Sequence, residues 1–159
     1  MSATRFASTL MPSPLPGVSP KAWKQYVDVC DVQPHNAISA SGGYGSYDLR
    51  PRRLVELGYA TNLGAKITDN RRNVHTCEFV LPWTEKRFLS DFLAQYAAFS
   101  RSNLLYHRAL LSGELKKPDE MSLSGALAIL HLGGRGALEQ HDKLFSNTRE
   151  MYERAKEIF

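Results

Sequence analysis

The sequence predicts a mostly α-helical single domain preceded by an extended arm. Three observations carry this. Apolar residues recur at helical spacing through most of the chain after residue 20. Residues that start and stop helices stand at the ends of those runs. Strand signals are few, and no repeat of fixed period occurs. The division is 1–20 for the arm and 21–159 for the helical domain.

Pro12, Pro14, Pro16 and Pro20 forbid a helix in the arm and favour extended backbone. Ser19 and Pro20 form an N-cap and first helical position. Ala22, Trp23, Tyr26, Val27 and Cys30 then trace one face, so a helix is predicted to about Asp31, with Pro34 as the stop. Residues 34–48 are a loop. Pro51 opens a second helix, with Leu54, Val55 and Leu57 as its apolar side and Gly58 as its end. Residues 59–82 read as irregular, punctuated by Gly64, Asp69-Asn70 and Pro82. The strongest helical stripe covers 85–112, with a break expected near Ser100–Ser102 and a stop at Gly113. Ser122 or Ser124 opens a buried helix, LSGALAILHL, that runs into Gly133-Gly134. A last helix or pair covers 136–159.

The chain of 159 residues is 43% hydrophobic and 23% charged, the profile of a globular domain with one core. No apolar run approaches the ~18 residues of a membrane helix. The N-terminus has no continuous apolar stretch, so no secretory signal is expected. Net charge is +4 and the pI about 9.1. Positive charge is dense at Arg50, Arg52, Arg53 and at Arg71, Arg72, which fits either a solvated helix face or an anionic partner. Cys30 and Cys77 have no metal spacing and make no disulfide framework, so free thiols are expected.

Several chemistries lack their residues. SGGYGS has no GK[ST] and no preceding strand, which argues against a phosphate loop. The five histidines form no zinc spacing, so no metal and no cofactor are expected. There is no GxSxG elbow. Two patterns remain. Asp28 and Asp31, three apart, share a helix face, with Asp48 in the loop beyond. A carboxyl at a helix end, facing a loop of glycines and tyrosines, suits glycoside cleavage, where one carboxyl gives a proton to the leaving oxygen. In HLGGRG, residues 131–136, His131 and the glycines fit either a backbone nest for an anion or a tight helix corner.

Three segments in order carry a resemblance. Gly45-Ser46-Tyr47-Asp48-Leu49, continuing through Leu54-Val55-Glu56-Leu57-Gly58-Tyr59, resembles the GxYQF…AL..LGY segment of phage-type lytic transglycosylase-like proteins of the lysozyme superfamily. Phe88 through Gln95 to Tyr106 and Leu110 resembles that group's intervening helices. LSGALAILHLGGRGAL resembles its later helix. The match spans about residues 22–145. It implies a lysozyme-like fold with a glycan groove between two lobes, and peptidoglycan as the substrate. Tyr44, Gly45, Tyr47, Asp48, His131 and Gly134 then fall at substrate-binding positions.

In that group a glutamate at the end of the first helix is acid and base. Here its place falls near Cys30, and the first glutamate of the chain is Glu56, beyond the loop. Asp48 and Leu49 replace the expected Gln and Phe. The acid is therefore Asp31 or Asp28, or it is missing. Aspartate is one methylene shorter, which moves a carboxyl about 1 Å from the productive position. The expectation is a virion-associated protein, made in the host cytoplasm, with reduced or lost glycan cleavage. Its partners would be a peptidoglycan strand and, through the arm, other virion or tail proteins. The alternatives are an active muramidase or transglycosylase that uses an aspartate, and a basic nucleic-acid-binding helical module.

Overall fold

The structure, a computed structural model, describes residues 12–67 and 73–159. Residues 1–11 of the arm, Asp69-Asn70 and the Arg71, Arg72 pair lie outside the described residues. Among those described there are six α-helices and one two-stranded sheet. In chain order they are α1 (Pro20–Cys30), α2 (Pro51–Glu56), β1 (Ala60–Ile67), β2 (Asn73–Phe79), α3 (Glu85–Ser90), α4 (Phe92–Ser112), α5 (Leu123–Glu139) and α6 (Ser146–Ala155). A 3-10 turn, His141–Lys143, stands between α5 and α6. The mostly helical architecture is as the sequence predicts.

The described residues fall into two compact units. The first comprises residues 12–31 with 102–159, and the second residues 32–67 with 73–101. The boundaries fall at the end of α1 and inside α4.

In the first unit, Ser19 caps α1 by accepting the Ala22 N–H, with Pro20 in the first turn. Trp23, Tyr26, Val27 and Cys30 are buried along one face. Tyr26 donates its hydroxyl to Asn103 Oδ1 of α4 at 2.8 Å and meets the Phe159 ring edge-on. Ser122 caps α5, whose residues Ala126–Leu130 have no exposed surface. That all-round burial follows from its near-uniform apolarity. The described end of the arm is not straight. Leu15 N–H donates to Ser13 Oγ, Val18 N–H donates to Leu15 O, and Leu15 itself is buried.

In the second unit, the irregular stretch predicted over 59–82 is instead an antiparallel hairpin. Ala60 pairs with Phe79, Thr61 with Glu78 and Asn62 with Cys77, and the register then shifts by a bulge before Gly64. Gly64 has φ 92°, the freedom that the bulge requires. Helix α2 lies against both strands. Phe88 of α3 is fully buried, with the rings of Tyr59, Phe79 and Trp83 around it at 5.3, 5.4 and 5.9 Å. The break expected near Ser100–Ser102 lies earlier. Asp91 has extended backbone, and its carboxylate accepts the Ala94 N–H, which restarts the helix as α4. From there α4 is continuous to Ser112.

His107, on the part of α4 in the first unit, is 5% exposed, and its Nδ1 has no hydrogen-bond partner among the described residues. Burial pushes its pKa below the ordinary imidazole value, because the charged ring loses hydration. The unfolded chain therefore binds this proton more readily than the folded one. Stability is fully present above the unfolded pKa, about 6.5, and falls as pH drops below it. Melting temperatures measured from pH 7.5 to 5 are expected to decline more steeply for the wild type than for His107→Gln.

Candidate functional site

Tyr44, Gly45, Tyr47 and Asp48 come together in the second unit as one tight hairpin turn. Tyr44 and Leu49 exchange both backbone hydrogen bonds, at 2.9 and 3.0 Å, and Gly45–Asp48 form the turn between them. Gly45 has φ 75° and Asp48 has φ 52°. Positive φ is routine for glycine and tolerated by aspartate, so these residue types fit these positions.

Asp48 is 6% exposed. Its Oδ1 accepts the Ser39 hydroxyl at 2.7 Å, and its Oδ2 pairs with Arg50 Nη2 at 3.1 Å. A Cβ at Gly43 would land on this carboxylate. The Ser39 hydroxyl also accepts the Gly43 N–H at 2.9 Å. The resemblance places Asp48 at a substrate-binding position. Its oxygens instead hold the loop to itself.

The resemblance also places Tyr47 at a substrate-binding position. It has no exposed surface and stacks on Phe99 at 4.4 Å, with Phe92 and Tyr96 beside it. Its ring is core. The turn directs it inward because the pairing at Tyr44 and Leu49 fixes the orientation of what lies between them. Tyr44 is the half-exposed tyrosine of the pair, set edge-on to Phe79 at 5.3 Å. Its pKa is pushed up to about 12 by burial, with the Cys77 thiol and the Glu85 carboxylate adding to the shift.

Two glutamines that sequence reasoning gave no role organise the loop. Gln95 of α4, fully buried, accepts the Ser46 N–H at 2.9 Å. Its Nε2 donates to His35 O at 2.8 Å and to Phe88 O at 2.9 Å. Gln33 Nε2 donates to Gly45 O at 2.8 Å and Gly43 O at 3.2 Å. The signal for Gln95 was available: it is an amide set among Phe92, Tyr96 and Phe99 on an apolar stripe.

The carboxylate candidates lie in the first unit. Asp28 is on α1, with Oδ2 2.9 Å from Lys24 Nζ one turn earlier. Asp31 is the half-buried C-cap of α1, with extended backbone (φ −88°, ψ 90°). The helix therefore ends one residue before Asp31, so Asp28 lies on its last full turn and Asp31 at its cap. Cys30 between them is fully buried, its thiol 3.9 Å from Met151 Sδ. Burial pushes the Cys30 thiol pKa up, which keeps it protonated and unreactive. Both cysteines are free thiols.

His131 is 4% exposed within α5. Gly134, with φ 75° and ψ −170°, kinks that helix. Of the two readings of HLGGRG, this geometry matches the tight corner. Among the described residues, no three His, Cys, Asp or Glu side chains are grouped to hold a metal ion, and no helix is long and apolar enough to cross a membrane.

The arginine cluster is partly spent within the chain. Arg50 pairs with Asp48, and Arg53 pairs with Glu56 at 2.8 Å. No protein family, no curated protein and no solved structure matches this chain.

Proposed function

We propose that the protein is a phage-particle lysozyme-superfamily domain that meets peptidoglycan and holds it, with glycan cleavage reduced or lost. The particle and peptidoglycan assignments rest on the resemblance of the Gly45–Tyr59, Phe88–Leu110 and Leu123–Leu138 segments to phage-type lytic transglycosylase-like proteins. The arm would make the contact with neighbouring virion or tail proteins.

One observation carries the loss of cleavage. Where the resemblance expects the acid, the chain has the Cys30 thiol, sealed in the core against Met151. Glycoside cleavage needs a carboxyl within reach of the leaving oxygen, and general acid–base help is worth ~10²–10⁴-fold. Asp28 is already committed to Lys24. A second reading, an active enzyme using aspartate, draws support from Asp31, which stands at the helix end next to Cys30 and is not sealed in the core. The nucleic-acid reading is weakened by the ion pairs that Arg50 and Arg53 make within the chain.

Holding without cutting has a direct test. Purified protein is mixed with intact bacterial sacculi and sedimented. It is expected to pellet with them in moderate salt and to be released by soluble glycan fragments. Protein that stays in the supernatant at every sacculus concentration contradicts the reading.

A further inference from the structure

We propose that Gln95 is a positioning residue, which fixes the glycine loop in the shape that meets a glycan before the glycan arrives. This rests on the peptidoglycan reading above. Gln95 does not itself reach the ligand. It acts through the loop that carries Tyr44.

The geometry is specific. The three hydrogen bonds of the Gln95 amide tie together three separate stretches of the second unit: the end of α3 at Phe88, the loop entry at His35 and the turn at Ser46. A Cβ at Gly45 would collide with this amide, so the turn and the glutamine fit each other closely. Gln33 grips the carbonyls of Gly43 and Gly45. Ser39 and Asp48 close the remaining side. These polar groups are turned onto the loop itself, and Tyr44 is left half-exposed on a fixed frame.

Energetics point the same way. A buried amide adds little net stability over an apolar side chain of similar size, because its hydrogen bonds only replace those to water. A leucine in the stripe formed by Phe92, Tyr96 and Phe99 would fill the space but leave the Ser46 N–H and the His35 and Phe88 carbonyls without these bonds. What the amide adds is a single loop conformation. A loop already ordered spares the ligand the entropy of ordering it, and that saving appears as affinity.

The test compares wild type, Gln95→Glu, Gln33→Met and Leu130→Ala for affinity to purified sacculi, melting temperature and amide hydrogen exchange. Gln95→Glu keeps the acceptor for Ser46 and replaces a two-bond donor by an oxygen facing two carbonyls. It is expected to lose about tenfold or more in affinity at neutral pH, with faster exchange at Gly45 and Ser46. At low pH the protonated acid regains one donor, so affinity relative to wild type at the same pH is expected to recover in part. Gln33→Met is expected to move the same way by less. Leu130→Ala, in the core of the first unit, is expected to lower the melting temperature and leave affinity unchanged. Gln95 variants that melt earlier yet bind like wild type overturn the assignment. If Gln95→Glu does not fold, undiminished binding by Gln33→Met overturns it. Wild type that does not bind sacculi overturns the peptidoglycan reading, and the assignment with it.

Discussion

Phe88→Ala is expected to destabilise the second unit by about 3–5 kcal/mol. Phe88 has no exposed surface, and three aromatic rings surround it within 6 Å, at 5.3, 5.4 and 5.9 Å. Removing it takes away both its transfer energy and the edge-on ring contacts, worth about 0.5–1.5 kcal/mol per pair beyond area. The surrounding rings come from the segment before β1, from β2 and from the turn before α3, so they cannot all collapse into one cavity. Urea unfolding followed by near-ultraviolet circular dichroism reads the loss. Phe88→Leu, which keeps most of the volume, is expected to cost under about 1.5 kcal/mol. Equal costs for the two variants would mean that the ring cluster is not the centre of this unit.

Gly45→Ala is the second large effect, at about 2–5 kcal/mol. Two penalties add. The backbone at Gly45 has φ 75°, where a Cβ is strained, and the Cβ would meet the Gln95 amide. Shortening the amide in Gly45→Ala/Gln95→Ala removes the collision but not the strain. The pair is therefore expected to be non-additive, with the double variant less damaged than the sum of the singles. A loss below about 0.5 kcal/mol for Gly45→Ala alone would show that the loop does not hold this shape.

These two residues also show what the sequence reveals. Helix starts were readable wherever a local rule decides them. Ser19-Pro20 and Ser122 cap their helices through hydrogen bonds three residues away, and Pro51 opens α2. Such signals need no knowledge of distant contacts. The β1–β2 hairpin was not readable for the opposite reason. Thr61, Asn62 and Leu63 are all exposed, so this stretch of β1 lacks the alternation of buried and exposed residues that marks a strand. The stop at Asp91, one residue before α4, is hidden in the sequence because the apolar stripe runs on through it.

The site was legible in its backbone and less so in its side chains. The density of glycines around Tyr44 correctly signals a tight turn with positive φ. Which tyrosine faces outward depends on partners far along the chain. Tyr47 is claimed by Phe99, and Tyr44 is braced by Phe79. Asp48 looks like a ligand group in sequence because its partner Ser39 gives no sign of itself. The two glutamines that frame the loop were silent for the same reason, although an amide on the apolar face of α4 was a cue.

The proposed function is that the domain holds glycan strands and has lost most or all of the ability to cut them. Incubation of the purified protein with bacterial peptidoglycan, with the soluble products read by mass spectrometry, tests it most directly. No soluble muropeptides are expected above a no-enzyme blank, under conditions where a working muramidase releases them and where this protein sediments with the sacculi. Release of 1,6-anhydromuramic or reducing-end products at a rate near that muramidase's, abolished by Asp31→Asn in a folded protein, would contradict it and make Asp31 the acid.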